Sequence, residues 1–207
     1  MRIIAGTYRS RRLEAPPGLR TRPTSDRLRE TLFNVLAPRI AGAIFLDLYA
    51  GSGAVGLEAL SRGAARVTFV ERAPAALKVL RKNLEQLGIT TGFEVRAESV
   101  AAFLRFAAKF SPKPERHEVP KPIPHEVPER YDVAFLDPPY DDLEEYAVTL
   151  GMLGRNPVFL APEAVIVAEH RRKQKLEERY GCLRRTRLLE QGDAALSFYA
   201  AELTHQE

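Results

Sequence analysis

The stretch AIFLDLYAGSGAVG, residues 43–56, is an apolar run that ends in glycines. Its first eight residues read as a buried strand, and Val55, Leu57 and Leu60 behind it recur at helical spacing. Gly51-Ser52-Gly53-Ala54-Val55-Gly56 between them matches G-x-G-x-x-G, and Glu71 stands 20 residues after Gly51. A strand, a glycine turn, a helix and an acid at the end of the next strand make the entrance to a parallel nucleotide-binding sheet.

Working outward, residues 66–71, 93–98, 131–137 and 164–170 read as further strands. Leu77, Leu80, Leu84 and Leu87 mark a helix ending at Gly88, and Ala101, Phe103, Leu104 and Ala107 mark another. Alternation of this kind predicts βαβ units in a mostly parallel sheet with helices on both faces. Residues 182–191 and 195–202 around Gly192-Asp193 read as two strands joined by a tight turn, an antiparallel hairpin closing the sheet. The expected domain (40–207) carries a proline-rich insertion (109–130) with the near-repeat HEVP at 117–120 and 125–128. A smaller extension (1–39) precedes it: a β unit from residues 2–5 and 11–14, then a helix capped by Thr24, with Asp26 in its first turn, ended by Pro38.

The 207 residues are 45% hydrophobic and 28% charged, as a soluble globular chain is. No apolar run is long enough for a bilayer span, and residues 1–6 lack the apolar stretch of a signal peptide, so a cytoplasmic protein is expected. Cys182 is the only cysteine, which excludes a disulfide and a cysteine zinc site; the four histidines are scattered and no metal is expected. Charge is concentrated: residues 1–39 hold nine arginines against three acids, a net +6, on a chain whose total is +4. Such an arm suits a polyanionic partner, with Arg9, Arg11, Arg12, Arg20, Arg22 and Arg27 as RNA-contacting candidates. Arg171, Arg172, Lys173 and Lys175 either extend that surface or form a solvated loop.

The glycine loop alone leaves a nicotinamide dinucleotide in contention. Asp47, four residues before Gly51, opposes it, because a pyrophosphate there would meet a fixed negative charge. S-adenosylmethionine carries a sulfonium and an α-ammonium instead, and Asp47 is expected to hold the ammonium directly or through water. Glu71 is expected to accept the ribose hydroxyls, and Glu98 the adenine amino group with Ser99 beside it. Tyr49, Ala50, Gly51, Ser52, Gly53 and Arg72 complete the expected cofactor set.

Asp137-Pro138-Pro139-Tyr140 follows the strand at 131–136. The prolines stiffen the strand end. Asp137 and the Pro138 carbonyl would accept the two N–H groups of a base amine, orienting its lone pair at the methyl donor. Tyr140 would stack on the extruded base. This tetrapeptide after a glycine loop resembles the amino-methyltransferases of adenine N6 or guanine N2.

MRIIAG at 1–6, TRPTSDRLRETLFN at 21–34 and DLYAGSGAVGLEALSRGA at 47–64 together resemble the RsmD family over nearly the whole chain. The resemblance implies a Rossmann-like class I S-adenosylmethionine-dependent methyltransferase with a seven-stranded sheet. It implies N2-methylation of one guanine in bacterial 16S rRNA, within the 30S subunit or an assembly intermediate, by a monomer. It also places residues 21–27 beside the cofactor and substrate cleft, adding Arg22, Thr24 and Arg27 to the site. Glu98 departs from the expected aspartate, and the proline-rich connection is longer than usual. An adenine-N6 DNA methyltransferase is the alternative, although 207 residues show no extra sequence-reading element; a non-catalytic assembly protein is opposed by Asp47, Glu71 and Asp137.

Overall fold

A computed structural model describes residues 1–15, 25–108, 130–139 and 143–202. The chain forms α1 (Asp26–Ile40), β1 (Ile44–Leu48), α2 (Ala54–Ser61), β2 (Arg66–Val70), α3 (Pro74–Leu87), β3 (Phe93–Arg96) and α4 (Val100–Ala108). It continues with β4 (Tyr131–Leu136), α5 (Leu143–Arg155), β5 (Leu160–Arg171), β6 (Arg179–Tyr180), β7 (Leu183–Gln191) and β8 (Ala194–Ala201). The strands make one sheet in the order β3-β2-β1-β4-β5-β8-β7-β6. Strands β1 to β5 pair in parallel, and β8 pairs antiparallel with both β5 and β7. The order reverses at β1, next to β4, which is where a Rossmann-like sheet binds its ligand.

The parallel sheet, both helical layers and the C-terminal hairpin follow the sequence expectation. The expected seven strands become eight because the chain before β7 doubles back, pairing Arg179 with Arg184 and Tyr180 with Leu183. Period-2 alternation divides the apolar side chains into two cores. Phe45, Val133, Phe135 and Val167 face α1, α2 and α3, whereas Leu46, Ala134, Leu136 and Ile166 face α4 and α5. Helix α5 had no counterpart in the sequence reading, although Tyr146, Leu150 and Leu153 stand at helical spacing behind Glu144 and Glu145. Among the described residues no helix is long and apolar enough to cross a membrane.

The N-terminal segment packs into the first of these cores. Ile3, Leu13, Leu28, Leu32 and Phe33 are buried together with Phe45 and Phe69. The expected β unit pairs at one antiparallel bridge, Arg2 with Arg12, flanked by backbone bonds from Ile3 N to Arg11 O and from Leu13 N to Met1 O. Ser25, not Thr24, caps α1: its hydroxyl accepts from Leu28 N at 3.1 Å. Pro38 does not end that helix, which runs on to Ile40 across the expected boundary at residue 39. A proline interrupts a helix by withholding one N–H and crowding the carbonyl four residues back, and burial of Leu36 and Ile40 here outweighs that cost.

Glu58 of α2 holds the segment down. Its wholly buried carboxylate accepts from Ile4 N at 2.8 Å, Ala5 N at 3.0 Å and Arg62 Nε at 2.7 Å. Arg29, equally buried, bonds to Asp26 and to the Arg2 carbonyl, with its Nε 3.8 Å from Glu58. Burial depresses the Arg29 pKa, opposed by the nearby Glu58 and Asp26 carboxylates. Replacing Glu58 with alanine leaves the Ile4 and Ala5 amides without their acceptor and takes a carboxylate from beside the buried Arg29, which costs about 3 to 5 kcal/mol and lowers Tm by on the order of 10 °C. Thermal unfolding followed by circular dichroism checks this; a Tm within about 2 °C of wild type contradicts it.

Candidate active site

The turn from β1 into α2 is fixed by three features. Gly53 sits at φ 80° as the residue before α2, a left-handed conformation that glycine adopts without strain. A Cβ on Gly56 would lie 2.3 Å from the Phe69 ring, so glycine alone lets α2 settle on β2. Asp47, 1% exposed, accepts from Gly56 N through Oδ2 at 2.9 Å. Asp47 thus buttresses the loop, a role that the sequence reading did not give it.

Glu71 lies beyond β2 with its carboxylate closed on backbone: Oε2 accepts from Gly51 N at 2.9 Å, and Oε1 from Arg72 N and Ala73 N at 2.8 and 2.7 Å. It joins the glycine loop to the start of α3. Glu98 pairs with Arg96, which donates to its Oε1 through Nε at 2.9 Å. The Ser99 hydroxyl accepts from Ala102 N at 3.2 Å and begins α4. Asn83 of α3, which the sequence reading passed over, donates to the Ser52 and Glu14 carbonyls and accepts from Glu14 N. It links the N-terminal segment to the glycine loop, and only a fold that brings residues 14, 52 and 83 together reveals it.

Asp47, Glu71, Glu98 and Ser99 line a cavity of about 490 Å³ at the carboxyl edge of the sheet. Its wall includes Asp47, Tyr49, Ala50, Gly51, Ser52, Glu71, Arg72, Glu98 and Ser99, together with Asp137, Pro139 and Glu145. Its size and mixed apolar and acidic wall suit a small ligand of nucleoside size that carries positive charge. Gly53 is buried behind this wall and shapes the loop. Pro138 is buried beside it.

Asp137 follows β4 directly. The register pairs Leu136 with Ala168 of β5 and Phe135 with Asp47 of β1, so Asp137, Glu169 and Asp47 project from one face of three adjacent strands. Burial, then the negative charges of Glu169 and Asp47, push the Asp137 pKa well above the usual carboxylate range. Glu169 is 1% exposed and was absent from the sequence reading; its position one step past the Leu136–Ala168 pair is visible only in the register. Tyr49 takes a left-handed φ of 62°. Its hydroxyl lies 2.7 Å from Glu145 Oε2 and 2.6 Å from Thr149 Oγ1, both on α5.

Arg20, Arg22, Thr24 and Tyr140 lie outside the described residues, as does most of the proline-rich 109–130 segment. Arg9, Arg12 and Arg27 are exposed, and Arg11, also exposed, donates to the Gln86 carbonyl at 2.7 Å.

The family model described as "Conserved hypothetical protein 95" matches residues 1–200. "Ribosomal RNA small subunit methyltransferase D" of Escherichia coli K12 is 41% identical over 171 residues, covering 82% of this chain and 74% of the relative. The Haemophilus influenzae protein of the same name is 39% identical over 178 residues, 85% of this chain and 81% of its own length. A solved Escherichia coli structure, that of yhhF, shares the fold with a TM-score of 0.77 at 33% identity, over 98% of both chains.

Burial lifts the Asp47 carboxyl to about 7, with the Glu71 charge adding to the rise and the Gly56 N–H opposing it. From about pH 4 to about 7 the unfolded chain ionises this group while the folded chain resists, so stability falls as pH rises through that window. The loss amounts to about 4 kcal/mol. Asp47→Asn lacks it. Urea unfolding of both proteins at pH 4 and pH 8 measures the difference, and parallel pH profiles would contradict the assignment.

Proposed function

The chain belongs to the RsmD family, whose model spans residues 1–200, and on that premise we propose that it transfers a methyl group from S-adenosylmethionine to guanine N2 in bacterial 16S rRNA. The observation that carries the reading is the wall that the cavity shares: the glycine loop, Glu71 and Glu98 on one side, Asp137 and Pro139 on the other. A cofactor and a base amine brought to these two sides would meet beside Asp137.

The residues fit the cofactor. Glu71 and Glu98 present acceptors for ribose hydroxyls and an adenine amine, and Asp47 and Asp137 supply negative charge for a sulfonium and an ammonium. When bound, S-adenosylmethionine supplies an electrophilic methyl group. Asp137 and the Pro138 carbonyl accept the two N–H groups of the guanine amine and fix the direction of its lone pair. Asp137 then takes the proton that the methylated nitrogen releases. Because Asp137 must be ionised for both tasks, turnover rises with pH through its elevated pKa, and a cation in the cavity assists the ionisation.

The exposed Arg9, Arg12 and Arg27 are available for phosphate contacts, and Arg20 and Arg22 complete the proposed RNA surface. A 30S subunit or assembly intermediate, engaged by a monomer, is the proposed substrate form. Tyr140 is proposed to stack on the extruded base.

Mass spectrometry of 16S rRNA from a strain lacking the gene tests the assignment. One N2-methylguanine disappears and returns on complementation; unchanged N2-methylguanine overturns the reading. A second measurement concerns the acid pair. Glu169→Gln removes a negative charge that raises the Asp137 pKa, so the acid limb of its pH–rate profile moves to lower pH. An unmoved limb shows that the two carboxyls are not coupled.

A further inference from the structure

We infer that Glu145 is the residue that selects guanine over other amine-bearing bases, by accepting the base N1–H. The inference rests on the guanine reading above and goes beyond it to a specificity determinant on α5.

The Watson–Crick edge of guanine presents three N–H donors, two on N2 and one on N1, with O6 as its acceptor. Adenine presents two donors on N6 and a lone pair at N1. Asp137 and the Pro138 carbonyl account for the two amine hydrogens, so a site for guanine needs a third acceptor beside them. An unmet donor there costs binding, and a carboxylate facing a lone pair costs more.

The other acidic side chains of the cavity serve the glycine loop or the proposed cofactor end. Asp47 is 1% exposed and accepts from Gly56 N. Glu71 accepts from three backbone amides. Glu98 lies at the end of the cavity belonging to β3 and α4 and is paired with Arg96. Glu145 is left. It lines the cavity with Pro139 and Asp137 and is carried by the first turn of α5, which starts six residues after Asp137. Among the described residues, the Tyr49 hydroxyl is its one hydrogen-bond partner, and that bond goes to Oε2.

The Tyr49 bond explains how a side chain at a helix start is aimed. Tyr49 accepts a left-handed φ that is strained for a non-glycine residue. In that conformation its hydroxyl is clamped between Thr149 Oγ1 and Glu145 Oε2. With Oε2 bonded to Tyr49, Oε1 is the oxygen left to accept N1–H. The glycine-loop strand thus sets the position of the residue that reads the base.

Glu145→Gln tests this with a change of preference. The glutamine amide keeps an oxygen for Tyr49 and presents an N–H where the wild type presents an acceptor. Once the methylated guanine has been located, 16S rRNA is assembled by ligation with either guanine or 2-aminopurine at that nucleotide. 2-Aminopurine retains the N2 amine but has a lone pair at N1. Wild type is expected to methylate the guanine RNA at least about 100-fold more efficiently than the 2-aminopurine RNA, and Glu145→Gln to narrow that ratio below about 10-fold. S-Adenosylhomocysteine affinity, measured by calorimetry, is expected to agree within about 3-fold between the two proteins, which also reports an intact fold. If the variant loses activity on both RNAs in parallel, or loses cofactor affinity, Glu145 does not read N1 and the inference falls alone. If wild type leaves the guanine RNA unmethylated, the guanine reading falls and takes the inference with it.

Discussion

Asp47, almost wholly buried, reaches Gly56 N with one carboxylate oxygen, and the active-site edge of the sheet is organised around that bond. It holds the first turn of α2 against the end of β1, so Gly56 meets the Phe69 ring and Gly53 takes its left-handed turn. Gly51 N is thereby directed at Glu71, and the Ser52 carbonyl at Asn83. The same carboxyl contributes to the field that disfavours ionisation of Asp137. One buried acid therefore shapes the loop and sets the electrostatics of the residue proposed to take the substrate proton. A buried acid that resists ionisation is stabilised in its charged form by a cationic ligand beside it.

The N-terminal segment shows how charge and packing divide one stretch of sequence. Its arginines suggested an arm reaching toward phosphate, and Arg9, Arg12 and Arg27 lie exposed on the surface. Arg29 takes the opposite course, buried between Asp26, the Arg2 carbonyl and Glu58. The segment also reaches the cavity, where Met1 and Ala15 form part of the wall. Glu58 and Asn83 anchor it at two points of the helices flanking the glycine loop.

Much of the fold was legible because local rules and global topology agree. The run at β1, the glycine turn and the leucine spacing of α3 each specify their element without help from distant residues. What stayed hidden depends on pairing. Glu169 looks like any acid in a strand until the register sets it beside Asp137. Helix α5 follows a proline pair and opens with acids, which disguised its apolar spacing, and with it went Glu145 and Thr149. Asp47 was legible as important, but its partner was not: a carboxylate before a glycine loop reads as a ligand-binding group, whereas the backbone of α2 takes it first. Pro38 and Thr24 misled because each was judged by its own propensity, while the buried face of α1 and the hydroxyl of Ser25 decided the helix ends.

The central claim is that the cavity edge at Asp137 directs methyl transfer to a guanine amine in small-subunit rRNA. The most direct measurement offers the purified protein tritium-labelled S-adenosylmethionine with free 16S rRNA, 30S subunits or duplex DNA, followed by nucleoside analysis of the labelled product. The account predicts label in N2-methylguanosine from the ribosomal substrate, abolished by Asp137→Asn. Label in N6-methyladenine of the DNA, or undiminished transfer by the Asp137 variant, would contradict it.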